Sequence, residues 1–103
     1  MDLVVVNDNN IETLPDEALT ATRLRVRLRD VCTSQSLEPL VSNTNLKSIK
    51  IKINFYQDYV NMWMADLIGA NPGLESVTID RIDGQIITAL GKAVNLRKLR
   101  TTW

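Results

Sequence analysis

The chain has 103 residues, 45% hydrophobic and 23% charged, with four Gly and three Pro, a composition that excludes disordered and fibrous classes. No apolar run reaches the roughly 18 residues needed to span a membrane, and no basic-then-apolar leader opens the sequence. Twelve basic and twelve acidic residues cancel, and there is one Cys and no His, so internal disulfides, His-based nucleophile pairs and most zinc sites drop out.

Strand and helix patterns alternate along the chain. Leu3-Val4-Val5-Val6 is a β-branched run ended by the turn-forming cluster Asn7-Asp8-Asn9-Asn10. Pro15, Asp16 and Glu17 suit a first helical turn running to Leu19. Arg23 to Leu28 alternates with period two, as a half-buried strand does. Ser36 to Ser42 reads as helical, with Ser36 as N-cap and Pro39 in the first turn. Ile49 to Ile53 alternates again. Val60, Trp63, Met64, Leu67 and Ile68 follow the i, i+3, i+4, i+7, i+8 rule and predict an amphipathic helix over 60–70, stopped by Asn71-Pro72-Gly73. Val77 to Ile79 is a fourth strand. Asp83 is placed to cap a helix carrying Ile86, Ile87, Leu90 and Val94, and Leu96 to Arg100 is a fifth strand.

Strands separated by helical segments imply a parallel α/β sheet with crossovers. Internal repetition sharpens the expectation. Met1-x-x-Val4-x-Val6-x-x-Asn9-x-Ile11 and Leu46-x-x-Ile49-x-Ile51-x-x-Asn54-x-Tyr56 both follow the pattern L-x-x-L-x-L-x-x-N-x-L. Leu74-x-x-Val77-x-Ile79 keeps the first half but has Ile82 at the Asn site. Leu96-x-x-Leu99-x-Thr101 is a shortened copy, and Ala21-x-x-Leu24-x-Val26 has Arg29 where Asn belongs. The pattern resembles that of leucine-rich repeat proteins and covers essentially the whole chain. Copies starting near 1, 21, 46, 74 and 96 are separated by 20, 25, 28 and 22 residues, within the range of about 20–29 for this repeat class. The resemblance implies a single domain over 1–103, a solenoid with one short parallel strand and one helix per repeat. An open doubly wound parallel sheet is the alternative.

Several residues invite chemistry and have plainer readings. Trp63 and Met64 lie on the stripe facing the sheet and are expected in the core, and Cys32 is expected to be a small buried or half-buried hydrophobe. Asp80 and Asp83 lack a third carboxylate close by, so Asp83 reads as a helix cap and no metal is expected. No phosphate-binding glycine loop is present. Neither a cofactor nor an enzyme activity is expected, and the free Cys with no glycosylation sequon suits an intracellular, cytoplasmic setting.

The charge layout carries the functional expectation. In a repeat of this type, side chains at the third, fifth and seventh places of each copy project from the concave sheet face. Those places hold Leu3, Val5 and Asn7, then Arg23, Arg25 and Arg27, then Ser48, Lys50 and Lys52, then Ser76, Thr78 and Asp80, then Lys98, Arg100 and Thr102. Seven of twelve bases fall on one face against one of twelve acids. The resemblance implies a protein-interaction scaffold, and this stripe predicts an acidic protein surface or peptide as partner, with Phe55, Leu3 and Val5 as apolar anchors. The alternative is polyanion or nucleic-acid binding by the same stripe, opposed by an isoelectric point near 6.2 and by the lack of interleaved aromatics. The sequence opens close to a strand and stops within one. It is therefore expected to self-associate through uncovered ends or to be a segment of a longer array.

Overall fold

The computed structural model describes residues 3–30, 34–55 and 57–101, and the roles expected of Met1, Cys32, Tyr56 and Thr102 lie outside the described residues. The alternating segments form strands β1 (Leu3–Asn7), β2 (Arg23–Leu28), β3 (Ser48–Ile53), β4 (Ser76–Ile79) and β5 (Lys98–Arg100). They make one parallel sheet in the order β1-β2-β3-β4-β5. Parallel neighbours require a crossover between them. The first is a 3-10 helix at Asp16–Leu19; the second is α1 (Ser34–Leu37) continued by a 3-10 helix at Glu38–Ser42. The third is α2 (Asp58–Gly69) and the fourth α3 (Gly84–Gly91).

The sequential order contains no point at which the direction of strand addition reverses, and a doubly wound sheet needs one. Burial agrees. Val4, Val6, Leu24, Val26, Leu28, Ile49, Ile51, Ile53, Val77 and Ile79 are buried in one cluster with the inward residues of α2 and α3. The residues between them on β1 to β4 are half-buried or exposed. One face of the sheet is covered and the other is open, so the period-two alternation in the sequence is the alternation of the pleat itself. Both faces of a doubly wound sheet would be covered.

The register aligns corresponding places of the five strands. Leu3, Arg23, Ser48, Ser76 and Lys98 stand side by side across the sheet, as do Val5, Arg25, Lys50, Thr78 and Arg100. A shift of one residue in any strand would turn its apolar set to water, which holds this alignment in place.

The helix α2 buries Val60, Trp63, Met64, Leu67 and Ile68, the five residues of the predicted stripe, and leaves Met62 exposed. Trp63 Nε1 donates to the Leu37 carbonyl at 2.9 Å, tying α2 to the end of α1. Asp83 caps α3: its carboxylate accepts from the Ile86 N–H at 2.9 Å. The inward stripe of α3 differs from the one expected. Ile86 and Ala89 are buried and Leu90 half-buried, whereas Ile87 is 57% exposed. The helix ends at Gly91, so Val94 lies beyond it at 83% exposed and Ala93 turns inward instead. Ser36 also departs from expectation: it sits inside α1, and its hydroxyl donates to Glu12 Oε1 at 2.8 Å.

The conserving of backbone hydrogen bonds falls to other asparagines than those of the repeat pattern. Asn9 and Asn54 are exposed. The turn after β1 is organised by Asn10, whose side chain accepts from the Asn7 N–H at 2.8 Å and donates to the Val5 carbonyl at 2.9 Å. On the opposite edge, where crossovers return to the sheet, Asn43 and Asn71 are fully buried. Asn43 Nδ2 donates to the carbonyls of Ala18 and Ala21, both at 3.0 Å. Asn71 donates to the Leu67 and Asn43 carbonyls, and its Oδ1 accepts from the Leu46 N–H. Buried loop carbonyls and amides need such partners because no water reaches them. Among the described residues, no helix is long and apolar enough to cross a membrane.

Candidate partner-binding face

The open sheet face collects the predicted cations because each stands at an outward place of its strand; Arg25, Arg27, Lys50 and Lys52 each lie between two buried aliphatic residues. Arg23, Arg25 and Arg27 alternate with Leu24, Val26 and Leu28 on β2, and all three are exposed. Lys50 and Lys52 alternate with Ile49, Ile51 and Ile53 on β3 and are half-buried. Lys98 and Arg100 are exposed on β5. In register, Arg25 stands beside Lys50 and Arg27 beside Lys52. Neighbouring strands are about 4.8 Å apart, so these like charges share one local field.

Between β3 and β5 the face dips. Ser48, Ser76 and Thr78 are half-buried, and together with Lys50, Lys98 and Arg100 they line a hollow of about 380 Å³. β4 supplies only short side chains to this face, so the long cations of β3 and β5 rise on either side of it. The three hydroxyl residues were visible as outward-facing positions. Their union into one hollow depends on the pairing of three strands distant in sequence.

The acids nearest this face are engaged by backbone amides. Asp80 accepts from the Ile53 N–H at 2.9 Å and pairs with Arg81 Nε at 3.2 Å. Arg81 Nη2 in turn donates to the Ile53 carbonyl, so the two side chains together close the end of β3. Asp8 accepts from the N–H groups of Arg29 and Asp30, both at 3.1 Å. Asp80 and Asp83, considered above as a pair for a cation, are thus each committed to backbone amides. Among the described residues no group of three His, Cys, Asp or Glu side chains is disposed to hold a metal ion.

The apolar anchors are distributed differently from the cations. Val5 is 43% exposed on the open face and Leu3 is half-buried. Phe55 is half-buried and packs against the hydrophobic core, which removes much of its ring from a partner's reach.

Fold and face together define a small α/β protein with a parallel sheet covered on one side and basic on the other. Comparison of the chain with protein-family models, with characterised proteins and with solved structures finds no match.

Proposed function

We propose that this chain is a protein-interaction module of the leucine-rich-repeat type, a solenoid that presents its open basic sheet face to an acidic partner segment. The in-register stacking of five strands, joined by four crossovers on the same face, supports the solenoid reading. One observation carries the function: seven cations from β2, β3 and β5 share the one sheet face that no helix covers. Five of these cations, the three arginines of β2 and Lys98 and Arg100 of β5, are exposed, and a complementary acidic surface would speed encounter and select the partner. The reading involves no catalysis.

Fluorescence anisotropy with a labelled Glu-rich peptide tests this. Saturable binding is expected, weakened by about tenfold or more in the Arg25→Glu, Lys50→Glu variant. Unchanged binding in that variant would overturn the assignment of the face. A short duplex RNA or DNA that binds more tightly than the peptide, with a steep loss on adding salt, would move the reading to nucleic acid.

A further inference from the structure

We infer that the hollow between β3 and β5 is a phosphate-monoester pocket that takes a phosphorylated side chain of the acidic partner; this rests on the protein-interaction reading above. Its six polar residues form a grid of two rows. Ser48, Ser76 and Lys98 are one row in register, and Lys50, Thr78 and Arg100 the other. Strand spacing is about 4.8 Å and same-face residues along a strand lie about 6.6 Å apart. The two rows therefore enclose a patch of the size of one compact anion. Thr78 stands directly between Lys50 and Arg100, and Ser76 between Ser48 and Lys98.

The chemistry of the lining distinguishes this spot from the rest of the face. β2 carries three arginines with no short polar residue among them, a flat cationic row suited to extended acids. The hollow instead has hydroxyls on its floor and cations on two opposite walls. Each hydroxyl offers one donor that rotates to fit, the exposed Lys98 ammonium three, and the Arg100 guanidinium a planar fork. A carboxylate has two oxygens and one charge, and would leave much of this donor set unused. A phosphate monoester has three acceptor oxygens and nearly two charges at neutral pH, and so uses both the floor and the walls. Lys52 follows Lys50 on the same face of β3, and Arg25 and Arg27 stand beside them on β2, so acids flanking the phosphorylated residue would continue along the same face.

The test titrates three probes into the full chain by calorimetry: a short Glu/Ser peptide with a central phosphoserine, its unphosphorylated twin, and inorganic phosphate. The phosphopeptide is expected to bind about tenfold or more tightly than its twin. The Ser76→Ala, Thr78→Val variant should bring that ratio close to one. Arg100→Gln, on an exposed edge strand where folding is not at stake, should lower it severalfold. Arg25→Glu should weaken both peptides alike and leave the ratio standing. Equal binding of the two peptides would overturn the pocket while leaving the interaction module intact. Inorganic phosphate bound as tightly as the phosphopeptide would overturn the side-chain ligand in favour of a free anion. Binding of neither peptide would overturn both readings.

Discussion

The Asn71 side chain donates to the Asn43 carbonyl at 2.9 Å, joining two fully buried asparagines 28 residues apart. Asn43 in turn donates to the carbonyls of Ala18 and Ala21. The two amides therefore link the first, second and third crossovers into one column at the edge where the chain re-enters the sheet. Each lies three residues before the first aliphatic site of a copy, Leu46 and Leu74, and Ala18 and Ala93 hold the matching places before Ala21 and Leu96.

Replacing Asn71 strands three buried backbone groups, the Asn43 and Leu67 carbonyls and the Leu46 N–H. Each stranded group costs about 1–3 kcal/mol, so Asn71→Ala should lose on the order of 3 kcal/mol or more in urea unfolding. Asn71→Leu, which restores volume but no hydrogen bond, should be little better. In a double-mutant cycle with Asn43→Ala the two losses should couple by about 0.5–3 kcal/mol. Additive losses would show that the column does not act as a unit.

Asp83 supplies the one side-chain cap of α3, accepting from Ile86 N–H. Asp83→Ala should cost about 1 kcal/mol, and Asp83→Asn much less, since an amide oxygen accepts the same bond. Equal losses in both variants, followed by thermal unfolding, would assign the effect to the charge rather than to the hydrogen bond.

Trp63 does two separable jobs. Its ring is buried in the core where α2 meets the second crossover, and its indole N–H satisfies the Leu37 carbonyl. Trp63→Phe keeps most of the ring and strands the carbonyl, an expected loss of about 1–3 kcal/mol. Trp63→Ala removes both and should cost about 3–5 kcal/mol or prevent folding.

Leu99 is the register partner of Val77, yet Val77 is fully buried and Leu99 is 44% exposed on the edge strand β5. An exposed parallel edge with a half-open aliphatic site is a surface on which a second copy would add. Sedimentation velocity over a wide concentration range should show reversible self-association, abolished by Leu99→Lys without loss of fold. Val77→Lys should unfold the chain, because the same charge would be buried unpaired. A strictly monomeric chain at high concentration would remove the edge from consideration.

Much of this molecule could be read along the chain. The strand positions, the alternation of covered and open faces, the five inward residues of α2, the Asp83 cap and the cation-bearing places all follow from local geometry. A strand turns successive side chains to opposite faces and a helix returns every 3.6 residues, so each residue's direction is fixed by its immediate neighbours. The roles of Ile87, Val94, Phe55 and the asparagines were decided in three dimensions. α3 stops at Gly91, which carries Val94 out of the stripe, and Asn9 and Asn54 stay in water while Asn43 and Asn71 go inside. The hollow on the open face arises in the same way, from Ser48, Thr78 and Arg100 brought together by strands 76–79 and 98–100 pairing in turn beside 48–53. Such partners lie more than twenty residues apart, and crossovers of unequal length set which of them meet. Local periodicity carries no information about that distance; only the stacking of one crossover on the next supplies it.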